Sequence, residues 1–186
     1  MIPAPFKVVL DACVLYPFTV RDVLLQAAAQ GFYQVYWSET ILDEALRNLI
    51  SDGRMTEDNA AKLVAAMRRA FPEAQVTDYE ALILAMRNDV KDRHVAAAAV
   101  KAGAQVIVTS NIRDFYDLPS GIDVQTPDAF LSNLFDLDPP HMMGVLGALA
   151  RRYRKPPMEI PRIVNALALA GFGALVRARR VDAFGD

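Results

Sequence analysis

The sequence holds a single cysteine, Cys13, and only two histidines, His94 and His141. One cysteine excludes an intramolecular disulfide. No charged leader followed by a long apolar run precedes the first strand, so a secretory signal is not expected and the chain reads as cytoplasmic. Paired Cys-x-x-Cys, His-Glu-x-x-His, a Gly-x-x-x-x-Gly-Lys phosphate loop and a Gly-x-Ser-x-Gly elbow are all missing, which argues against zinc and acyl-transfer chemistry. The longest apolar-leaning stretch, residues 163–176, covers fourteen positions and contains Asn165, short of the roughly 20 a membrane span needs. No membrane partner is expected. A basic excess is lacking as well: 20 Lys plus Arg face 22 Asp plus Glu, unlike a generic nucleic-acid binder.

What is present is apolar and patterned. With 53% hydrophobic residues in 186, the chain can bury a real core as one domain with a modest appendage. Residues 7–11 form a short, β-branched run that stays apolar until Asp11, as expected of a central strand buried on both faces. Residues 34–37, 73–77, 105–109 and 122–125 fit further strands, and residues 19–30, 38–51, 56–70 and 89–102 fit helices between them. That alternation predicts an α/β fold with a central, mostly parallel sheet of about five strands and helices on both faces. Ser38 reads as an N-cap, and Gly53 and Gly103 as helix stops. Pro139 and Pro140 then break the chain, which divides it into residues 1–138 and a helical C-terminal extension over 139–186.

The remaining chemistry is carboxylate chemistry. Asp11 ends the first strand, where open α/β sheets bind ligands, although an Asp there also caps turns. Asp92 projects over the packed side of its helix, but with Asp89 it also resembles a capping pair. Glu44 lies well away from the apolar stripe of its helix and reads as solvated, with Asp43 nearer the stripe edge. Residues 109–115 cluster Thr109, Ser110, Asn111 and Asp114 after another strand, a pattern that turns also use. His94, two residues beyond Asp92, points to a different side and reads as structural or exposed.

The segments Val-Leu-Asp-Ala-Cys-Val-Leu, Ser-Glu-Thr-Ile-Leu-Asp-Glu-Ala-Leu-Arg, Asp-Arg-His-Val-Ala-Ala-Ala-Ala and Thr-Ser-Asn-Ile-Arg-Asp-Phe stand in this order. Over residues 6–135 the chain resembles the PIN-domain ribonucleases, and among them the VapC-like toxins of toxin–antitoxin pairs. The resemblance implies a three-layer α/β/α fold and catalytic acids at Asp11, Glu44, Asp92 and Asp114, with Thr109 and Asn111 in support. Cys13 stands where many relatives have a small polar residue. Four clustered acids require a counter-charge, and oxygen ligands suit Mg²⁺ or Mn²⁺, so metal ligation is expected from the same four acids. The implied partners are an RNA substrate, a cognate antitoxin protein and a second copy of the chain in a homodimer.

Arg93 and Arg113 flank the acids and serve either phosphate contact or ion pairing. Tyr16, Phe18, Phe115 and Tyr116 serve either the core or base stacking. The small net charge also conceals a split. Residues 1–138 hold 12 Lys plus Arg against 19 Asp plus Glu, and residues 139–186 hold 8 against 3. The basic tail, with Arg177, Arg179 and Arg180, is a candidate RNA-gathering surface or a face for an acidic antitoxin. Two rival readings stay open: a PIN-fold binding module without catalysis, and an aspartyl-nucleophile phosphatase. The phosphatase would want an acid where Cys13 stands.

Overall fold

Val8, Val9 and Leu10 are all fully buried, so the first strand needs packed layers on both faces and hydrogen-bonded neighbours on both edges. The computed structural model, which describes residues 6–153 and 157–169, supplies both. Its five strands are β1 (Lys7–Leu10), β2 (Gln34–Ser38), β3 (Gln75–Val76), β4 (Val106–Val108) and β5 (Asp123–Gln125). They lie in the order β3-β2-β1-β4-β5, and every pairing is parallel. The central strand is the one expected. The edges are short and carry Gln75, Asp123 and Gln125, which discourages pairing with another sheet.

The helices are α1 (Ala12–Leu15), α2 (Phe18–Ala29), α3 (Glu39–Ser51), α4 (Glu57–Ala70), α5 (Glu80–Ile83), α6 (Arg93–Ala102), α7 (Pro127–Leu137), α8 (Pro139–Arg152) and α9 (Ile160–Leu169). Ser38 caps α3 by accepting a hydrogen bond from the Ile41 N–H. Gly103 ends α6 at φ +64°, a left-handed conformation that costs glycine no steric strain.

The helix expected over residues 89–102 is interrupted. Asp89 caps a tight 3₁₀ turn at Val90–Asp92, accepting from the Lys91 N–H, and the α-helix starts only at Arg93. The side chain of an Asp reaches a backbone N–H two residues on, so Asp89 nucleates a turn in place of a longer helix. From Val95 to Ala99 every residue of α6 is fully buried. Alanine lets this helix lie close on β1, β2, β3 and β4, and α5 covers it from outside with Tyr79 and Met86 nearby.

The other helices build the main core around α2. Met142, Val145, Leu146 and Leu149 of α8 recur at i, i+3, i+4 and i+7 and are buried, and α8 packs on α2. Each such side chain contributes about 1.5–3 kcal/mol of transfer free energy. α9 also packs on α2 and α8, adding Ile163, Val164 and Leu167 to the same core. A polar latch reinforces the contact: Tyr153 donates its hydroxyl to Asp22 Oδ2 at 2.8 Å. Next to it, buried Arg21 donates to the Leu15 carbonyl at 2.9 Å. Asp138 lies between α7 and α8 and caps α8, accepting from the His141 N–H.

Candidate active site

The chain runs outward from β1 to β2 and β3, then returns to place β4 on the other side of β1. This reversal opens a crevice beyond the carboxyl ends of β1 and β4. Leu10 pairs with Val108 in register, so the next residues, Asp11 and Thr109, emerge side by side. Thr109, fully buried, donates its hydroxyl to Asp11 Oδ2 at 2.7 Å. Asp11 Oδ1 accepts from the Ala12 N–H at 2.7 Å. Asp11 therefore both caps α1 and presents a fixed carboxylate to the crevice.

Cys13 joins this arrangement. Its Sγ lies 3.2 Å from Asp11 Oδ2 and 3.4 Å from Thr109 Oγ1, and it accepts from the Ser110 N–H. The thiol thus takes a hydrogen-bonding role at the position where the resemblance implies a small polar residue. Burial first, and then the Asp11 carboxylate, push the thiol up to about 11, which keeps it protonated and able to donate.

Two 3₁₀ turns bring in further acids. The Asp89 N–H bonds to the Asp114 carbonyl at 2.9 Å, tying the Val90–Asp92 turn to the Ile112–Phe115 turn. Asp92 is only 7% exposed, and its side chain makes no capping hydrogen bond. Asp92 thus stands at the N-cap position of α6 without forming a capping bond, and the cap of the preceding turn comes from Asp89. Asp92 Oδ2 is buried without a hydrogen-bond partner. Burial first, and then the charge of Asp11, push this carboxyl up to about 6. Among the described residues the relief comes from Lys91, whose Nζ lies 3.8 Å from Asp92 Oδ2 and 2.8 Å from Asp114 Oδ2.

Glu44 stands slightly apart. It is half-buried, with its side chain still 41% exposed, whereas Asp43 is exposed, so of the two it is Glu44 that packs partly against a neighbouring element. The reason is tertiary: α6 presents His94, whose Nε2 lies 3.6 Å from Glu44 Oε2. His94 also feels the charge of Asp11, although burial dominates and holds the imidazole below its ordinary value, in its neutral form. Sequence spacing within one segment could not show that His94, on α6, meets Glu44 of α3. Its Nδ1 is buried without a partner.

The other expected residues are more peripheral. The Asn111 backbone N–H donates to Thr109 Oγ1 at 3.0 Å, while its side chain lies at an exposed position. Arg93 donates from Nε to the Asn88 carbonyl and so braces the 3₁₀ turn, and Arg113 is exposed. Phe115 is buried, whereas Phe18 and Tyr116 are exposed. Arg177, Arg179 and Arg180 lie outside the described residues. Among the described residues no three His, Cys, Asp or Glu side chains converge closely enough to form a finished coordination sphere. The side chains nearest this end of the sheet, Asp11, Asp92 and Asp114, nonetheless offer only hard oxygen atoms, and one buried carboxylate oxygen among them has no hydrogen bond.

Comparison with known proteins agrees with the fold. Residues 7–113 match the family described as PIN domain, and residues 127–180 match the VapC50 C-terminal domain. A curated protein of Mycobacterium tuberculosis, named "Putative ribonuclease VapC50", is 38% identical over 106 residues. The matched region covers 55% of this chain and 63% of that protein, so the chain spans less than two thirds of the relative's length. No solved structure matches the chain.

Proposed function

We propose that this chain, which belongs to the PIN-domain family, is a divalent-metal-dependent endoribonuclease and the toxin of a toxin–antitoxin pair. The observation that carries the proposal is Asp92: a nearly buried carboxylate with an orphan oxygen, close to Asp11 at the sheet's reversal point. A protein retains such a group against its desolvation cost when a cation or substrate uses it. The similarity to a protein named as a ribonuclease supports RNA as the substrate.

Asp11, Asp92 and Asp114 are the residues that would hold Mg²⁺ or Mn²⁺, with Glu44 positioned to add a ligand or to orient water. Such an ion supplies Lewis acidity at a phosphoryl oxygen and eases deprotonation of an attacking water. The chain's own residues do the orienting. Thr109, Cys13 and the Ala12 N–H fix both oxygens of Asp11. Neutral His94 packs beside Glu44 without adding a competing positive charge.

The proposed division at Asp138 is supported by the cap that this residue forms on α8, although α8 and α9 share the core of the preceding segment. Among the described residues no helix is long and apolar enough to cross a membrane. An RNA substrate reached in the cytoplasm, an antitoxin partner, a homodimer and an RNA-gathering role for Arg93, Arg113, Arg177, Arg179 and Arg180 complete the proposal.

The test is cleavage of total RNA by the purified chain with Mg²⁺ or Mn²⁺, with a chelator control and mapping of the new ends. Asp11→Asn keeps an oxygen acceptor for the Ala12 N–H, so the fold should persist while metal-dependent cleavage disappears. Cleavage by this variant at the wild-type rate would overturn the assignment.

A further inference from the structure

The acid cluster contains its own cation. Lys91 sits in the 3₁₀ turn between Asp89 and Asp92, its backbone N–H held by Asp89 Oδ1 at 3.1 Å. That turn is tied in turn to the Asp114 carbonyl. From this anchored position the side chain reaches back over the site. Its ammonium donates to Asp114 Oδ2 at 2.8 Å and lies 3.8 Å from the otherwise unpartnered Asp92 Oδ2. The same two carboxylates would hold a divalent ion.

We propose that Lys91 is a tethered counter-ion that takes the place of the divalent cation in the metal-free protein and competes with it for Asp92 and Asp114. A single ammonium undercompensates Asp11, Asp92 and Asp114, so a doubly charged ion has the electrostatic advantage. The lysine side chain is 63% exposed, and its four-carbon stem can swing into water without disturbing the packing around it. The device has two consequences. The fold tolerates three neighbouring acids before metal arrives, and the cation concentration needed to load the site is higher than the acids alone would set.

This inference rests on the proposed metal site, and its test separates the two. Mn²⁺ binding to the full chain is measured by titration calorimetry for the wild type, Asp11→Asn, Lys91→Met and Arg113→Met. Arg113→Met removes the same charge from the neighbouring exposed turn, where the arginine forms no ion pair with Asp92 or Asp114 among the described residues. Lys91→Met should bind Mn²⁺ about tenfold more tightly than the wild type. Arg113→Met should change affinity by no more than about twofold, because solvent and salt screen a charge that is not in contact. Nitrogen NMR of the Lys91 ammonium gives a second readout: its signal should move on adding Mg²⁺ and saturate with the binding isotherm.

Unchanged or weaker Mn²⁺ binding by Lys91→Met, with a wild type that binds and an Asp11→Asn variant that does not, would overturn the tethered counter-ion and leave the metal site standing. Equal tightening by Lys91→Met and Arg113→Met would also overturn it, since general charge would then explain the effect. Absence of Mn²⁺ binding from both the wild type and Lys91→Met would overturn the metal site and this inference together.

Discussion

Asp92→Asn should make the metal-free protein more stable, although it removes a proposed ligand. In the folded chain burial and Asp11 push the Asp92 carboxyl from its ordinary 3.8 up to about 6. The folded state therefore holds this proton more tightly than the unfolded state. Stability from this group is fully present below about pH 4 and is lost as pH rises through about 6. Ionising it at neutral pH costs at most about 3 kcal/mol, and solvent near Lys91 reduces that to about 1–3 kcal/mol. Asparagine has nearly the same shape and no charge to desolvate. In a chelator, thermal melting at pH 7.5 should place Asp92→Asn about 2–12 °C above the wild type, from a slope of about 2–4 °C per kcal/mol at this chain length. The gap should shrink toward zero as pH falls to about 4. Addition of Mg²⁺ or Mn²⁺ should raise the wild-type midpoint and leave the variant's nearly unmoved. A gap that is absent at pH 7.5, reversed, or independent of pH would refute the reasoning.

Two further substitutions test the supports around the site and the core. Thr109→Val is nearly isosteric but removes the donor to Asp11 Oδ2 and the acceptor for the Asn111 N–H. It should cost about 1–3 kcal/mol by urea unfolding and lower kcat, with Thr109→Ser restoring most of both; a stable, fully active valine variant would show that Asp11 is positioned without this bond. Tyr153→Phe removes the hydroxyl that donates to Asp22 in the contact between α2 and the end of α8. It should lower stability by about 1–2 kcal/mol without changing Mn²⁺ affinity, so an unchanged urea midpoint would argue that water satisfies Asp22 equally well.

The near-neutral total charge has a different meaning at the site. The acidic excess of residues 1–138 includes three acids that act on one another through a partly buried crevice. Among the described residues, local compensation comes from a lysine one residue before Asp92. A net charge of -2 thus says little about the field a phosphate would meet, because a sum over the chain does not report which charges are in contact at the site.

Much of this architecture is legible from residue order alone. The uninterrupted run at residues 7–10 specifies a strand buried on both sides, and the alternation of apolar runs with capped helical stripes specifies a parallel sheet. Asp11 and Thr109 follow directly at strand ends, because strand period and length locate them without reference to the rest of the chain. Local pattern could not decide between capping and exposure of Asp92 to a ligand, since both uses place an acid in a first turn. That choice required the Asp89 turn, which takes over the local capping bond, and the packing that buries Asp92 beside Asp11. Nor could periodicity place Glu44, because a helical wheel is drawn for one helix and the group facing Glu44, His94, belongs to another. The contacts of Lys91 and Cys13 were hidden for the same reason: sequence spacing sets which face a side chain leaves from, and only the tertiary fold sets which charge or dipole it meets there.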